Sequence, residues 1–219
     1  MPHVLSVNLG SRVAFEDSDT GHTGIGKRPV PTPVEVRAPG PRGVGGSGLV
    51  GDHISDLRHH GGDDQAVYAY AREDLDAWAE ELGHEVPPGL FGENLTTVGL
   101  DVSGARLGER WRVGGTLLQV TYPRVPCRTF ARVMERRGWV KTFTRRALPG
   151  AYLRVLEPGT VTAGDEVVVE HRPDHDVTIA HAFRAVLSEP ELLPGLLAAG
   201  DDLPDKLRRK VARRLPRPA

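Results

Sequence analysis

The sequence contains a single cysteine, Cys127, among its 219 residues. One thiol cannot form an internal disulfide bond, and it cannot supply the several thiolates that hold an iron–sulfur cluster or a cysteine-rich zinc site. We therefore expect no intrinsic iron–sulfur cluster. Any redox chemistry has to use a bound cofactor and electrons from another protein.

Long apolar runs are also lacking. No stretch approaches the roughly 18 apolar residues of a membrane span. Residues 1–10 have neither the basic start nor the apolar segment of a secretory signal. We expect a protein without a membrane segment, located in the reducing environment of the cytoplasm.

Charge of one sign is not in excess, since 28 Lys and Arg residues face 29 Asp and Glu residues. This balance excludes a disordered polyion and argues against a nucleic-acid-binding protein with a basic average. Residues 205–219 do form a basic tail, with seven Lys or Arg residues and one acid. We interpret this tail as a solvated helix face and expect it to have no role in the chemistry.

Glycine and proline are abundant, with 26 and 18 residues, which favours many turns and β structure. Alternating apolar patterns predict strands, and the spacing of apolar residues over 72–82 predicts an amphipathic helix. The predicted strands cover residues 4–10, 34–37, 107–114, 116–121, 151–156 and 162–170. The Gly- and Pro-rich stretch 38–51 predicts a mobile connection.

These patterns predict a fold that is mainly β with helices. We expect a small β-barrel domain over residues 1–173, because a barrel leaves no free strand edge. A short helical appendage is predicted over residues 177–216. Two glycine motifs, at 21–27 and 46–51, resemble nucleotide-binding loops, but the first lacks the Ser or Thr that binds magnesium and the second lacks a preceding strand.

Three segments carry residue types suited to a binding site. The turn His60-Gly61-Gly62 combines an imidazole with flexible backbone, and Asn94 lies in a second glycine-based turn. Cys127 follows two prolines, is near Arg124, and begins a predicted helix, a position that favours the thiolate. Taken singly, these features are more typical of turns and of an inert buried cysteine.

The segments also occur in a specific order. That order comprises Gly26-Lys27-Arg28-Pro29-Val30, Gly51-Asp52, Asp56, His60-Gly61-Gly62, Ala66-Val67, Phe91-Gly92-Glu93-Asn94-Leu95 and Pro123-Arg124-Val125-Pro126-Cys127. The combined pattern closely resembles the MOSC family, named after the C-terminal domain of molybdenum cofactor sulfurases, in its YiiM-like, stand-alone bacterial branch. The resemblance extends from about residue 4 to about residue 171, and it implies a MOSC-type β-barrel that binds the molybdenum cofactor.

The resemblance also implies roles for individual residues. Cys127 matches the position of the family's metal-liganding or sulfur-carrying cysteine, and a soft thiolate suits molybdenum. His60, when protonated, is the expected proton donor in catalysis. The expected cofactor-binding residues are Lys27, Arg28, His60, Gly61, Gly62, Asn94, Arg124 and Cys127. The Arg-rich stretch 134–150 departs from the family pattern.

Three functions follow as hypotheses. The first is a reductase of N-hydroxylated small molecules that receives electrons from an external electron-donor protein. The second is a sulfur carrier that uses a Cys127 persulfide supplied by a separate desulfurase. The third is a non-catalytic binding module that uses the basic tail.

Overall fold

The computed structural model describes residues 1–214. Positions 215 and 216 of the predicted appendage, and Arg217 of the basic tail, lie outside the described residues. The fold is mixed α/β and is built around one sheet of eight strands. No helix within residues 1–214 is long and apolar enough to cross a membrane.

The strands and helices follow one another along the whole described chain. The strands are β1 His3–Leu9, β2 Val13–Ala14, β3 His22–Thr23, β4 Arg28–Pro29, β5 Val34–Val36, β6 Val67–Ala71, β7 Leu95–Val98, β8 Arg110–Val113, β9 Thr116–Pro123, β10 Ala151–Glu157, β11 Gly159–Val161 and β12 Val167–His171. The α-helices are α1 Arg72–Leu82, α2 Arg128–Val133, α3 Trp139–Arg146, α4 Ile179–Leu187 and α5 Asp205–Ala212. Segments Asp63–Gln65 and Pro190–Asp202 form 3-10 turns.

The large sheet has the strand order β12-β8-β9-β10-β6-β7-β1-β4. Its neighbouring strands are antiparallel except for β6 and β7, which run parallel. A parallel pair needs a crossover connection, and α1 lies in the connection between these two strands. Strands β5 and β11 pair in a separate ribbon, as do β2 and β3.

The two ends of the large sheet meet at the beginning of β1. Val4 donates its N–H to the Asp165 carbonyl at 2.8 Å and accepts from Gly164 N–H at 2.8 Å, and Val167 N–H donates to the Pro2 carbonyl at 2.9 Å. The pairing between the two ends is limited to one isolated β-bridge, between His3 and Glu166. The predicted barrel is therefore observed, over residues 1–214, as an eight-stranded sheet whose ends touch over a short stretch.

An aromatic cluster packs beside the sheet and fixes the helices. The ring of Trp78, on α1, stacks on the ring of Phe143, on α3, with centroids 5.7 Å apart. Phe130, on α2, meets Trp139 edge to face at 5.4 Å. All four side chains are buried. The position of α2, and hence of the residue before it, is set by this packing.

The C-terminal helices pack on the sheet. Buried side chains of α4 and α5, including Ile179, Leu207 and Val211, belong to the same hydrophobic cluster as the strand residues Val67 and Leu118. The predicted appendage therefore shares a core with the sheet.

The stretch 38–51 is anchored by backbone hydrogen bonds. Gly62 N–H donates to the Gly46 carbonyl at 3.0 Å, and Gly48 N–H donates to the Ala66 carbonyl at 2.7 Å. Gly62 has a φ of 79°, and a Cβ at this position would lie 2.7 Å from the backbone of Arg42. The predicted connection is irregular, as expected, and close backbone approach at glycine lets it pack against residues 61–66.

Candidate functional site

A cavity of about 420 Å³ opens between the glycine-based turns and the start of α2. It brings together most of the predicted site residues, although they are far apart in the chain. Those lining it are Lys27, His60, Gly61, Asn94, Arg124 and Cys127. The sequence pattern thus identified segments that the fold assembles in one place.

Two predicted residues do not line the cavity. Arg28 lies in β4, where its backbone pairs with Leu9 and its side chain is exposed. Gly62 is buried, and its N–H is already used by the Gly46 carbonyl. Gly62 therefore positions the stretch that carries Arg42.

The Lys27 ammonium is neutralised within the protein. Its Nζ forms an ion pair with Asp52, whose side chain is fully buried. Asp52 also accepts from Gly10 N–H at 2.7 Å through Oδ1 and from Asn94 Nδ2 at 2.9 Å through Oδ2. Burial lowers the pKa of Lys27, while the Asp52 charge acts in the opposite direction. Lys27 is thus mainly a partner of Asp52.

The Asn94 carboxamide is also occupied by the protein. Its Oδ1 accepts from Tyr68 N–H at 3.1 Å, and its Nδ2 donates to Asp52 and to the Asn8 carbonyl at 3.3 Å. Asn94 is only 4% exposed. Its side chain joins β1 to β6 and supports the cavity wall.

Arg124 presents the opposite situation. It is 6% exposed, and its guanidinium lies 3.8 Å from the centroid of the Phe130 ring and 5.7 Å from that of Tyr68. Its Nη1 is buried without a hydrogen-bond partner. Among residues 1–214, no carboxylate lies within 4.0 Å of this guanidinium. Arg124 therefore brings a buried, uncompensated positive charge to the cavity, and such a group favours an anionic ligand.

Cys127 occupies the predicted position at a helix N-terminus. It is the N-cap of α2, and its Sγ accepts from the Phe130 N–H at 3.4 Å. The side chain is half-buried and lines the cavity. A ligand in the cavity can therefore reach the thiol.

His60 is held neutral by its surroundings. Burial and the charge of Arg124 lower its pKa to about 4, although the Asp56 carboxylate acts in the opposite direction. The sequence predicts a protonated His60, but protein groups alone do not provide a protonated imidazole at neutral pH. Asp56 is itself engaged with the neighbouring His59, at 2.8 Å between Oδ2 and Nδ1.

Glu93 precedes Asn94 in the same glycine-based turn, was not among the predicted site residues, and does not line the cavity. It is fully buried, and its Oε1 accepts from Gly89 N–H at 2.5 Å and from the Thr96 hydroxyl at 3.2 Å. Its Oε2 has no partner. Burial raises the pKa of Glu93 to about 7, and these hydrogen bonds only partly oppose the rise. In the sequence, the only feature that pointed to Glu93 was its position inside the Gly92-Glu93-Asn94 turn.

Two more cations reach the cavity from distant parts of the chain. Arg42 comes from the anchored stretch, and Lys206 comes from α5. Lys206 Nζ lies 4.4 Å from the centroid of the Tyr122 ring, and desolvation together with Arg42 lowers its pKa to about 8. The basic tail was expected to have no role in the chemistry; the structure places one of its residues, Lys206, at the cavity. No local pattern indicated this, because the placement depends on how α5 packs.

The donor set of the cavity is limited. No group of three or more His, Cys, Asp or Glu side chains within residues 1–214 is arranged to hold a metal ion. The cavity does offer one sulfur donor, at Cys127, and a buried cation without a carboxylate partner, at Arg124. It suits an anionic ligand that brings most of its own metal ligands.

Comparison with known families gives one match in this region. Residues 56–168 match the family described as MOSC domain. This range contains His60, Asn94, Arg124 and Cys127, whereas Lys27 precedes it.

Two curated relatives and one solved structure are similar to most of the chain. YflK of Bacillus subtilis, an uncharacterised protein, is 33% identical over 182 residues, covering 83% of this chain and 79% of that protein. A protein described as a reductase from Gibberella moniliformis is 30% identical over 173 residues, covering 75% of this chain but only 30% of that protein. The crystal structure of YiiM from Geobacillus stearothermophilus superposes with a TM-score of 0.78 at 26% identity, covering 99% of this chain and 100% of that one.

Proposed function

Because the chain belongs to the MOSC domain family, we propose that it binds the molybdenum cofactor in the cavity and reduces N-hydroxylated small molecules. In this proposal the eight-stranded sheet is the family's β-barrel. The observation that carries the proposal is the presence of Cys127 and the uncompensated Arg124 in one cavity. The relative described as a reductase supports redox chemistry.

The charge of the cavity fits the anionic phosphate of a pterin cofactor. Leaving the buried Nη1 of Arg124 without a partner is unfavourable, and an anion relieves that cost by accepting its hydrogen bond. Lys27 is less suited to binding the anion, since Asp52 already neutralises its charge. In this assignment Arg124 holds the anion, and the Lys27–Asp52–Asn94 network keeps the wall in place.

The single thiol fits a metal that arrives with other ligands. A thiolate is a soft donor and binds molybdenum well. The Phe130 N–H that reaches Sγ stabilises negative charge on the sulfur. Since no cluster of three ligating side chains is present in the described residues, Cys127 would add one protein ligand to a set supplied by the cofactor.

When bound, the cofactor supplies the redox-active metal through which two electrons reach the N–O bond. The N–O bond breaks, two protons are taken up, and the products are the N–H compound and water. His60 is neutral in the protein alone, but a bound anion nearby raises the pKa of the imidazole and allows it to carry one of these protons. The electrons come from an external electron-donor protein, consistent with a chain that has one cysteine.

The proposal is tested by reducing an N-hydroxylated base with freshly purified protein and a reduced viologen dye as the electron source. We expect the wild type to form the parent base and Cys127→Ser to form almost none. The exposed surface variant Arg110→Gln should match the wild type. NADH or NADPH alone should give no turnover. Equal rates for wild type and Cys127→Ser would contradict the proposal.

A second function uses the same thiol as a sulfur carrier. The Phe130 N–H is placed to stabilise a persulfide anion as well as a thiolate, and the half-buried Sγ is open to the cavity. The sulfur would be supplied by a separate desulfurase. Intact mass before and after treatment with a reductant separates the two functions, because a persulfide adds one reducible sulfur that Cys127→Ser cannot carry.

A further inference from the structure

Residues 128–146 form a strongly basic segment that the proposed chemistry does not use. They contain seven Lys or Arg residues and one acid, a net charge of +6 in a chain whose net charge is −1. The segment comprises α2, a short turn and α3. Six of its cations are exposed, and we call these the basic face: Arg128, Arg132, Arg136, Arg137, Lys141 and Arg145.

The two helices turn these cations to the outside. Lys141 and Arg145 are four residues apart on α3, opposite the buried Trp139 and Phe143. Arg128 and Arg132 have the same spacing on α2, whose Phe130 is buried. On each helix the cations therefore lie on the side away from the core, because the aromatic side chains point inward.

Most of this positive charge is not neutralised. Arg132 lies 3.7 Å from Asp17, and Arg136 lies 3.9 Å from Glu81. Such long, exposed ion pairs contribute little. The remaining four cations have no carboxylate within 4.0 Å among the described residues. Like charges at this density repel one another, and an acidic partner removes that repulsion.

The basic face is also adjacent to the candidate site. Cys127 is the N-cap of α2, and Arg128, the first residue of that helix, lines the cavity. Beneath the face, Trp139 packs on Phe130 at 5.4 Å and on Phe143 at 5.8 Å. A partner that covers these helices therefore meets a firmly packed surface next to the thiol.

We propose that the basic face is the docking surface for an acidic electron-donor protein. The inference rests on the proposed reductase function, which requires electrons from another protein. Complementary charge speeds encounter and orients the partner, and arginine is enriched at protein interfaces. A nucleic acid is the less favoured occupant, because the chain as a whole is near neutral.

The test uses reduced flavodoxin, a small acidic redox protein, and the triple variant Arg137→Glu/Lys141→Glu/Arg145→Glu. None of these three side chains lines the cavity. We expect the variant to bind flavodoxin at least about tenfold more weakly in calorimetry at low salt, and to lose flavodoxin-driven turnover to a similar extent. Turnover driven by a reduced viologen dye should equal that of the wild type, and wild-type affinity should fall as salt rises.

The matched control is Arg209→Glu/Arg213→Glu/Arg214→Glu, which changes the net charge equally on exposed residues of the basic tail. This control should bind flavodoxin like the wild type. Equal flavodoxin binding by the wild type and the first triple variant would overturn the proposal, and so would an equal loss in both variants. Tighter binding of double-stranded DNA than of flavodoxin would assign the face to nucleic acid. A wild type without dye-driven turnover would refute the reductase function, while flavodoxin binding would still decide the docking surface.

Discussion

Lys27 and Arg124 line the same cavity and are almost equally buried, at 8% and 6% exposure, yet their surroundings differ. Lys27 faces the buried carboxylate of Asp52, whereas Arg124 faces two aromatic rings and has an Nη1 without a partner. The charge of Lys27 is neutralised by a protein carboxylate, whereas the charge of Arg124 is available to an anionic ligand. A cationic residue in a binding motif therefore does not by itself identify a ligand contact. Whether it can bind a ligand depends on whether a protein carboxylate already neutralises it.

The largest effect should come from breaking the compensated pair. Lys27→Met leaves the Asp52 carboxylate buried without its cation, and removing one partner of a buried ion pair costs about 3–5 kcal/mol. Urea denaturation should show a decrease of this size in the free energy of unfolding. A loss below about 1 kcal/mol, the range of surface pairs, would show that the Lys27–Asp52 pair is not a structural element.

The next effect concerns Glu93, whose charge also acts on Lys27. Its pKa is raised from 4.5 to about 7 by burial, so the folded state favours the protonated form. Its contribution to stability is present below pH 4.5 and is lost as the pH rises through 7, with a total change on the order of 3 kcal/mol.

Denaturation at pH 5 and pH 8 measures this change, and Glu93→Gln should remove it because glutamine does not ionise. The exposed Glu85→Gln is the control and should retain the wild-type pH dependence. A Glu93→Gln profile that still falls between pH 5 and pH 8 as steeply as the wild type would assign the pH dependence to another group.

The smallest effect on stability should come from the uncompensated cation. Arg124→Met loses two cation–π contacts but no longer buries a charge without a partner, so the free energy of unfolding should change by about 1 kcal/mol or less. The same variant should retain much less pterin than the wild type, measured by fluorescence of the released pterin. A loss of stability as large as that of Lys27→Met would remove the distinction between the two cations.

Local patterns were sufficient to predict several elements. Helix α1 has the predicted bounds, Arg72–Leu82, because its apolar spacing is regular and Gly83 ends it with a φ of 75°. The placement of Cys127 at the start of a helix was also predicted, and the structure confirms it. Both follow from interactions between residues that are close in the chain.

Contacts between distant segments could not be predicted in the same way. The partner of Lys27 is 25 positions away, and Lys206 reaches the cavity only because α5 packs on the core. The stretch 38–51 has the composition of a mobile loop, but its backbone is bonded to residues 61–66. The composition shows that the chain can turn there, and the fold decides what the turns contact.

The most direct test of the account is the molybdenum and pterin content of freshly isolated protein, measured by metal analysis and pterin fluorescence for wild type and Cys127→Ser. The account predicts near-stoichiometric molybdenum with pterin in the wild type and a large loss of molybdenum in the variant, because a hydroxyl is a far weaker ligand than a thiolate for a soft metal. Wild-type protein that contains neither, or a variant that retains as much molybdenum as the wild type, would contradict it.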